Sequence, residues 1–207
     1  MQEVARPGAA DGLPAAGPGP KIGDVNRAAR RVMAGCGGLG TTVALAGCGL
    51  LSQGVTITAP AVMTVSSAAV ERGELPSRFT CAGAKVLSPP INWSGEPKGT
   101  QSIAIVVDDA DAPISPYVYW IVFDIQPGTS GIQEGVLPPG AKQARGTAGY
   151  ERYDPPCPGS QGHSYRLTVY ALNRVLNLPN GTSLMSAWRA IAAATIGRGR
   201  LPVNAAS

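Results

Sequence analysis

Three carboxylates fall within four positions at Asp108-Asp109-Ala110-Asp111, directly after the apolar run 102–107, and Pro113 stops the chain just beyond them. On continued extended backbone Asp109 and Asp111 would share a face. Two carboxylates held together raise one another's pKa, so such a pair could keep a proton or meet a donor-rich ligand. A plainer reading stands beside it, in which Asp108 and Asp109 solvate a strand end and Asp111 caps the turn before Pro113. The one histidine, His163, heads another apolar run with Ser164 beside it. Adjacency does not make these two a serine–histidine pair, because neighbours on a strand point to opposite faces, and there is no Gly-x-Ser-x-Gly elbow. A single histidine without paired-cysteine spacing leaves zinc short of ligands, and the Asp run lacks the glycine and glutamate of a calcium loop. No metal and no cofactor is expected. Gly35-Cys36-Gly37-Gly38-Leu39-Gly40 has the spacing of a dinucleotide loop. A basic coil precedes it and no crossover unit follows, so no nucleotide is inferred.

The elements that must position these groups are mostly strands. Ile103, Ile105 and Val107 alternate with small or branched neighbours, as in a strand covered on both faces. Residues 117–125, rich in β-branched and aromatic side chains, form the next strand and should pair with it across a short loop. A third strand runs from His163 to Leu172, and shorter ones are read at 55–58, 63–66 and 75–80. Pro89 and Pro90 suit an extended edge leading to Trp93. The span from Gly131 to Gly162 is Gly/Pro-rich, without periodicity, and reads as a functional loop. Apolar residues at 184, 188, 191 and 195 or 196, with Thr182 or Ser183 as cap, predict one amphipathic helix over 183–196.

Composition agrees. The 207 residues hold 27 glycines and 19 prolines, are 44% hydrophobic and only 14% charged, which suits one loop-rich β domain with appendages. The net charge of +4 is spread along the chain with no arginine or lysine stripe and no aromatic ladder, so no nucleic acid partner is expected.

The chain before residue 55 reads differently. Residues 1–26 are Ala/Gly/Pro-rich and lack the apolar surface to offset chain entropy, which predicts a disordered leader. In 27–47, Arg27, Arg30 and Arg31 precede a short apolar stretch that closes on Leu45-Ala46-Gly47-Cys48. That order is the pattern of an export signal. The tetrapeptide resembles a bacterial lipobox, whose cysteine is acylated and becomes the first residue of a mature lipoprotein. Cys48 would then be a lipid anchor, 48–54 a tether and 55–207 the folded domain, exported and facing outward on the cell membrane.

Four landmarks in order carry a further resemblance: Phe79-Thr80-Cys81 leading to Ser88-Pro89-Pro90-Ile91-Asn92-Trp93, Asp109-Ala110-Asp111-Ala112-Pro113, Tyr119-Trp120, and Pro156-Cys157-Pro158 followed by His163 and 165–172. Over roughly 55–196 the chain resembles the phosphatidylethanolamine-binding proteins, in their bacterial Raf-kinase-inhibitor-like branch. The resemblance implies a mostly β fold of two antiparallel sheets in Greek-key arrangement, with a short C-terminal helix. It also implies a pocket for a small anionic or phosphate-bearing ligand, lined by Asp109, Asp111, Pro156, His163 and Tyr165 with Trp120 as a wall. The family usually has proline at Ala110, histidine at Tyr119 and arginine at Ser164. Arg166 and the hydroxyls of Tyr119 and Tyr165 would have to replace the lost donors, and Tyr119 as a simple core aromatic is the other reading. Acid–base work by the two aspartates is the enzymatic alternative, but the resemblance favours binding without turnover. A protein-interaction module inhibiting a protease or kinase is the alternative function. Once Cys36 is cleaved off and Cys48 acylated, Cys81 and Cys157 remain, and in the family the segments carrying them approach beside the pocket. A disulfide between them is expected.

Overall fold

The computed structural model describes residues 59–109, 111–112, 116–159 and 162–205. The expected leader, signal segment, Cys48 and the strand at 55–58 lie outside the described residues. The chain runs β1 (Thr64–Ser66), a 3-10 turn (Ser77–Phe79), β2 (Ile91–Ser94), β3 (Ser102–Asp109), β4 (Tyr117–Ile125), β5 (Gly131–Ile132), β6 (Lys142–Ala144), β7 (His163–Leu172), α1 (Leu184–Ala194) and β8 (Thr195–Ala205). The strands form two antiparallel sheets, β1-β2-β5 and β6-β4-β3-β7-β8.

Strand β3 lies at the centre of the larger sheet, and all its residues are buried. Ile103, Ile105 and Val107 enter a core shared with Val65, Ile91, Trp93 and Ile132 of the smaller sheet. Ala104 and Val106 enter a second core, beneath Ala187, Ile191 and Ala194 of α1. Burial on both faces is the physical reason for its unbroken apolar run. The β3–β4 hairpin forms as expected, with register shifts on either side of Ile105–Val107. Near the first of these, Asp124 sits at φ 57°, its buried carboxylate accepting from the Leu176 amide at 2.7 Å and from Lys142 Nζ at 3.2 Å. A short polar side chain tolerates that left-handed backbone and ties it down.

Several expectations are corrected. Residues 75–80 are not a strand: Pro76 precedes a 3-10 turn at 77–79, and the Phe79 and Thr80 amides bond back to Pro76 and Ser77. β2 is not an edge but the middle of its sheet, which it can be because Pro89 and Pro90 stop short of Ile91 and leave its ladder donors intact. The helix ends at Ala194 rather than at 196, with Ser183 Oγ accepting from the Ser186 amide at its start. Thr195 and Ile196 open β8, an eleven-residue strand not foreseen in the sequence.

The span 131–162 contains β5 and β6, and its later part is strapped to the larger sheet. The Thr147 amide donates to the Val118 carbonyl at 2.8 Å and the Asp154 amide to the Tyr119 carbonyl at 3.1 Å. A disulfide joins Cys81 to Cys157, with Cα atoms 5.1 Å apart, and the Cys81 amide donates to the Pro156 carbonyl at 3.0 Å.

Candidate functional site

One end of the larger sheet collects the polar groups. Pairing sets Asp109 of β3 opposite Tyr117 of β4 on one side and Tyr165 of β7 on the other, so the hairpin and a distant strand meet at one ladder position. Asp109 is only 2% exposed. Its two oxygens are both engaged, Oδ1 by the Asp111 amide at 2.8 Å and Oδ2 by His163 Nδ1 at 2.8 Å. Strand β3 ends at Asp109, so Asp111 does not continue a strand face beside it. The Asp111 carboxylate instead reaches across to accept from the Ser164 amide at 3.0 Å. A carboxylate on Nδ1 places the ring hydrogen of the neutral imidazole there and leaves Nε2 as its acceptor nitrogen.

Tyrosines build the rest. The rings of His163 and Tyr165 stack at 6.2 Å, Tyr119 meets Tyr165 edge-on at 5.6 Å, and Tyr117 leans on Tyr119 at 4.6 Å while its hydroxyl donates to Asp154 at 3.3 Å. Tyr165 is 1% exposed, and its buried hydroxyl has no hydrogen-bond partner among the described residues. Burial first, and then the negative charge of Asp109, push its pKa up to about 12. Burial, with the neighbouring Tyr165 and Asp109 after it, also pushes Tyr119 well above the ordinary phenol range. Both hydroxyls therefore remain protonated donors at physiological pH. An open cleft of about 300 Å³ adjoins the cluster, lined by Glu74, Asp111, His163, Ser164 and Asn204 among others. His163 is the shared wall, with the cleft on one side and Asp109 and Tyr165 on the other.

Of the expected pocket residues, Asp109, Asp111, His163, Tyr165 and Tyr119 come together. Trp120 and Pro156 are spent on other partners: buried Trp120 donates Nε1–H to Gln143 at 2.6 Å and packs on Tyr153, and the Pro156 carbonyl takes the Cys81 amide. Arg166 does not replace the missing donors. It grips Asp108 through two of its nitrogens on the other face of the sheet, as strand alternation demands for a neighbour of Tyr165. Tyr117, Asp154, Glu74 and Asn204 were not anticipated. Tyr117 is two residues from Tyr119 and could have been found by its period, whereas Glu74 and Asn204 meet only through the parallel bridge between them.

The structure is thus a mostly β, two-sheet domain whose polar, tyrosine-rich cluster sits at one strand end. Residues 65–206 match the sequence model of the family described as phosphatidylethanolamine-binding protein. A protein of Methanothermobacter thermautotrophicus named "UPF0098 protein" is 38% identical over 136 residues, covering 63% of this chain and 89% of its own. A Mycobacterium tuberculosis protein named "Putative lipoprotein LppC" is 38% identical over 184 residues, covering 79% of this chain and 90% of its own. The crystal structure of Escherichia coli YbcL, described as a new member of the mammalian family, superposes with a TM-score of 0.65 at 26% identity, over 71% of this chain and 99% of that one. The chain belongs to the phosphatidylethanolamine-binding protein family.

Proposed function

We propose that the domain is a non-enzymatic binding protein that receives one small ligand of phosphate or carboxylate type at the β3–β4–β7 end, and that it works exported and held on the membrane by an acylated Cys48. The observation that carries the ligand reading is the Tyr165 hydroxyl, buried, protonated and unpartnered among the described residues. A buried donor left unmade costs about 1–3 kcal/mol, which an acceptor on a ligand offsets. Asp109 supports the same reading by fixing the His163 ring, which stacks on the ring that carries that hydroxyl. With Arg166 turned away to Asp108, the ligand is held by hydroxyls and one imidazole beside Asp109 and Asp111. Singly charged ligands are favoured over doubly charged ones, which those carboxylates repel. The anchor reading is supported by the order of Arg27, the apolar stretch and Cys48. It is supported also by the match to the lipoprotein-named relative, whose 79% share of this chain is more than the whole span from residue 55 onward.

Titration calorimetry with a panel of phosphate monoesters and carboxylates tests the ligand reading. Tyr165→Phe, which keeps the ring, is expected to lower affinity about tenfold for the best ligand of the panel, and Asp109→Ala and His163→Ala to weaken it as well. Equal affinity in wild type and all three variants moves the site elsewhere. For the anchor, labelled fatty acid is expected to enter the wild type in a bacterial host and not Cys48→Ala, which is released from the membrane fraction. Identical fractionation of the two removes the anchor.

A further inference from the structure

No Asp or Glu follows Asp154, while Arg166, Arg174, Arg189, Arg198 and Arg200 do. Strands β7 and β8 and helix α1 therefore carry four arginines and no carboxylate. Antiparallel pairing sets Thr168 opposite Arg200 and Tyr170 opposite Arg198. Tyr170 belongs to the core beneath α1, so these arginines lie on the helix-bearing face of the sheet. Arg200 Nε donates to Thr168 Oγ1 at 3.1 Å, which holds that guanidinium over the sheet. Trp188 of α1 meets Tyr170 edge-on at 6.2 Å, and Met185 and Arg189 are exposed on the outer side of the same helix, away from its buried residues Ala187, Ile191 and Ala194. Among the described residues no carboxylate lies within ion-pair distance of Arg189, Arg198 or Arg200, and Asp108, which shares this face, is already matched by Arg166. An aromatic ring and an exposed methionine beside unmatched guanidinia are the composition of an interfacial surface, not of a water-solvated one.

The place where the chain enters the domain says what lies against that surface. Arg198 Nε donates to the Ala59 carbonyl at 3.2 Å, the Arg198 amide donates to the Pro60 carbonyl at 3.0 Å, and Ala61 bridges to Arg198. The segment arriving from Cys48 thus joins the fold on the arginine strand itself. Residues 49–58 reach at most about 35 Å when fully extended, so a lipid anchor at Cys48 keeps this region close to the bilayer.

We infer that the Arg189–Arg198–Arg200 face docks on an anionic phospholipid surface, guanidinia on headgroup phosphates with Trp188 and Met185 at the interfacial level. The inference rests on the proposed anchor only for which surface is near. Docking leaves the ligand cluster free, because His163 and Tyr165 alternate to the opposite side of β7 from Thr168 and Tyr170.

The test uses residues 50–207, a compact unit by themselves whose counterpart in Escherichia coli is a whole chain, so neither the acyl chain nor the basic leader contributes. Sedimentation is compared on vesicles of phosphatidylcholine alone and of equimolar phosphatidylglycerol and phosphatidylcholine. The domain is expected to bind the anionic vesicles, to shift its tryptophan emission on doing so, and to be released by high salt. The double variant Arg189→Glu/Arg200→Glu is expected to lose more than about twentyfold in partition, at about fivefold per arginine. Lys85→Glu, on the loop beside Cys81, makes the same kind of charge change and should lose none of it. Urea midpoints of the variants establish that they are folded. Equal partition on the two vesicle types, unchanged partition in the double variant, or an equal loss in Lys85→Glu overturns the inference. So does capture by an acidic protein with no vesicle binding. Because Cys48 is absent from the protein tested, failure here leaves the anchor standing, and failure of fatty-acid incorporation leaves the docking surface standing.

Discussion

Asp109 and Tyr165 face one another across the β3–β7 ladder, and the charge of one bears on the ionisation of the other. The consequence for stability has a definite sign. Folding displaces the Tyr165 pKa upward to about 12, from the ordinary phenol value near 10, so above that value the unfolded chain loses a proton that the native state still holds. The stabilisation is complete below about pH 10 and is lost as pH rises through 10 to about 12. Burial displaces Tyr119, Tyr153 and Tyr170 in the same direction. Urea unfolding followed from neutral to alkaline pH should therefore show a level plateau and then a decline, shallower in Tyr165→Phe than in wild type. A decline equally steep in that variant would show that the hydroxyl's burial does not bear on stability. Much of this scale was legible in the sequence. Asp109, Asp111, His163, Tyr119 and Tyr165 are the cluster, and the two-residue period of β7 already parts Arg166 from Tyr165. What alternation does not give is partner choice: the Asp109 carboxylate takes an imidazole 54 residues away and the Asp111 amide, rather than the Asp111 carboxylate.

At the scale of elements, β8 is where sequence reading failed, and the reason is physical. Gly197, Gly199 and Pro202 break a strand pattern, and glycine in an isolated strand only weakens it. Here the glycines make room. A Cβ on Gly199 would lie 2.5 Å from the Met63 carbonyl oxygen, and one on Gly197 2.5 Å from Pro97 Cγ, because the segment entering β1 and the turn before β3 cross directly over β8. The need for glycine belongs to a contact with residues a hundred or more positions away, which no local pattern encodes. Gly199→Ala should therefore destabilise the fold by about 2 kcal/mol through overpacking against backbone that cannot yield. Gly159→Ala is the comparison, since nothing lies within 4 Å of its Cβ position. If the two variants share one urea midpoint, the close approach of the entering segment to β8 is wrong. By contrast β3, β4 and β7 were legible because their reasons are local. Each is a long β-branched or aromatic run bounded by turn residues, and burial on both faces only reinforces what the pattern shows.

At the scale of the molecule, two properties hidden in the linear sequence arise from the pairing of distant segments. One is charge. Arginines at 166, 189, 198 and 200 look scattered along the chain, and only the β7–β8 pairing and the seat of α1 collect them on one face. The other is the bridge between Cys81 and Cys157, which closes a loop with a sequence separation of 76 residues. That loop contains β2 through β6, and its closing point fastens the strap beside β4 to the 3-10 turn, where the Tyr153 hydroxyl also donates to the Phe79 carbonyl at 2.8 Å. In the folded state these hydrogen bonds already hold the strap, so the bridge acts chiefly on the unfolded chain, whose loop entropy it reduces by about 4 kcal/mol. Both cysteines are exposed and within reach of a thiol reductant. Reduction should therefore leave the native spectrum and ligand affinity nearly unchanged, yet lower the unfolding free energy by about 4 kcal/mol. It should also steepen the urea dependence, since an unbridged denatured chain exposes more surface. Thiol titration of the unreduced domain in denaturant fixes the premise, with neither Cys81 nor Cys157 expected to react. Two reactive thiols, or a urea midpoint indifferent to reductant, would mean that the strap is held by its hydrogen bonds alone.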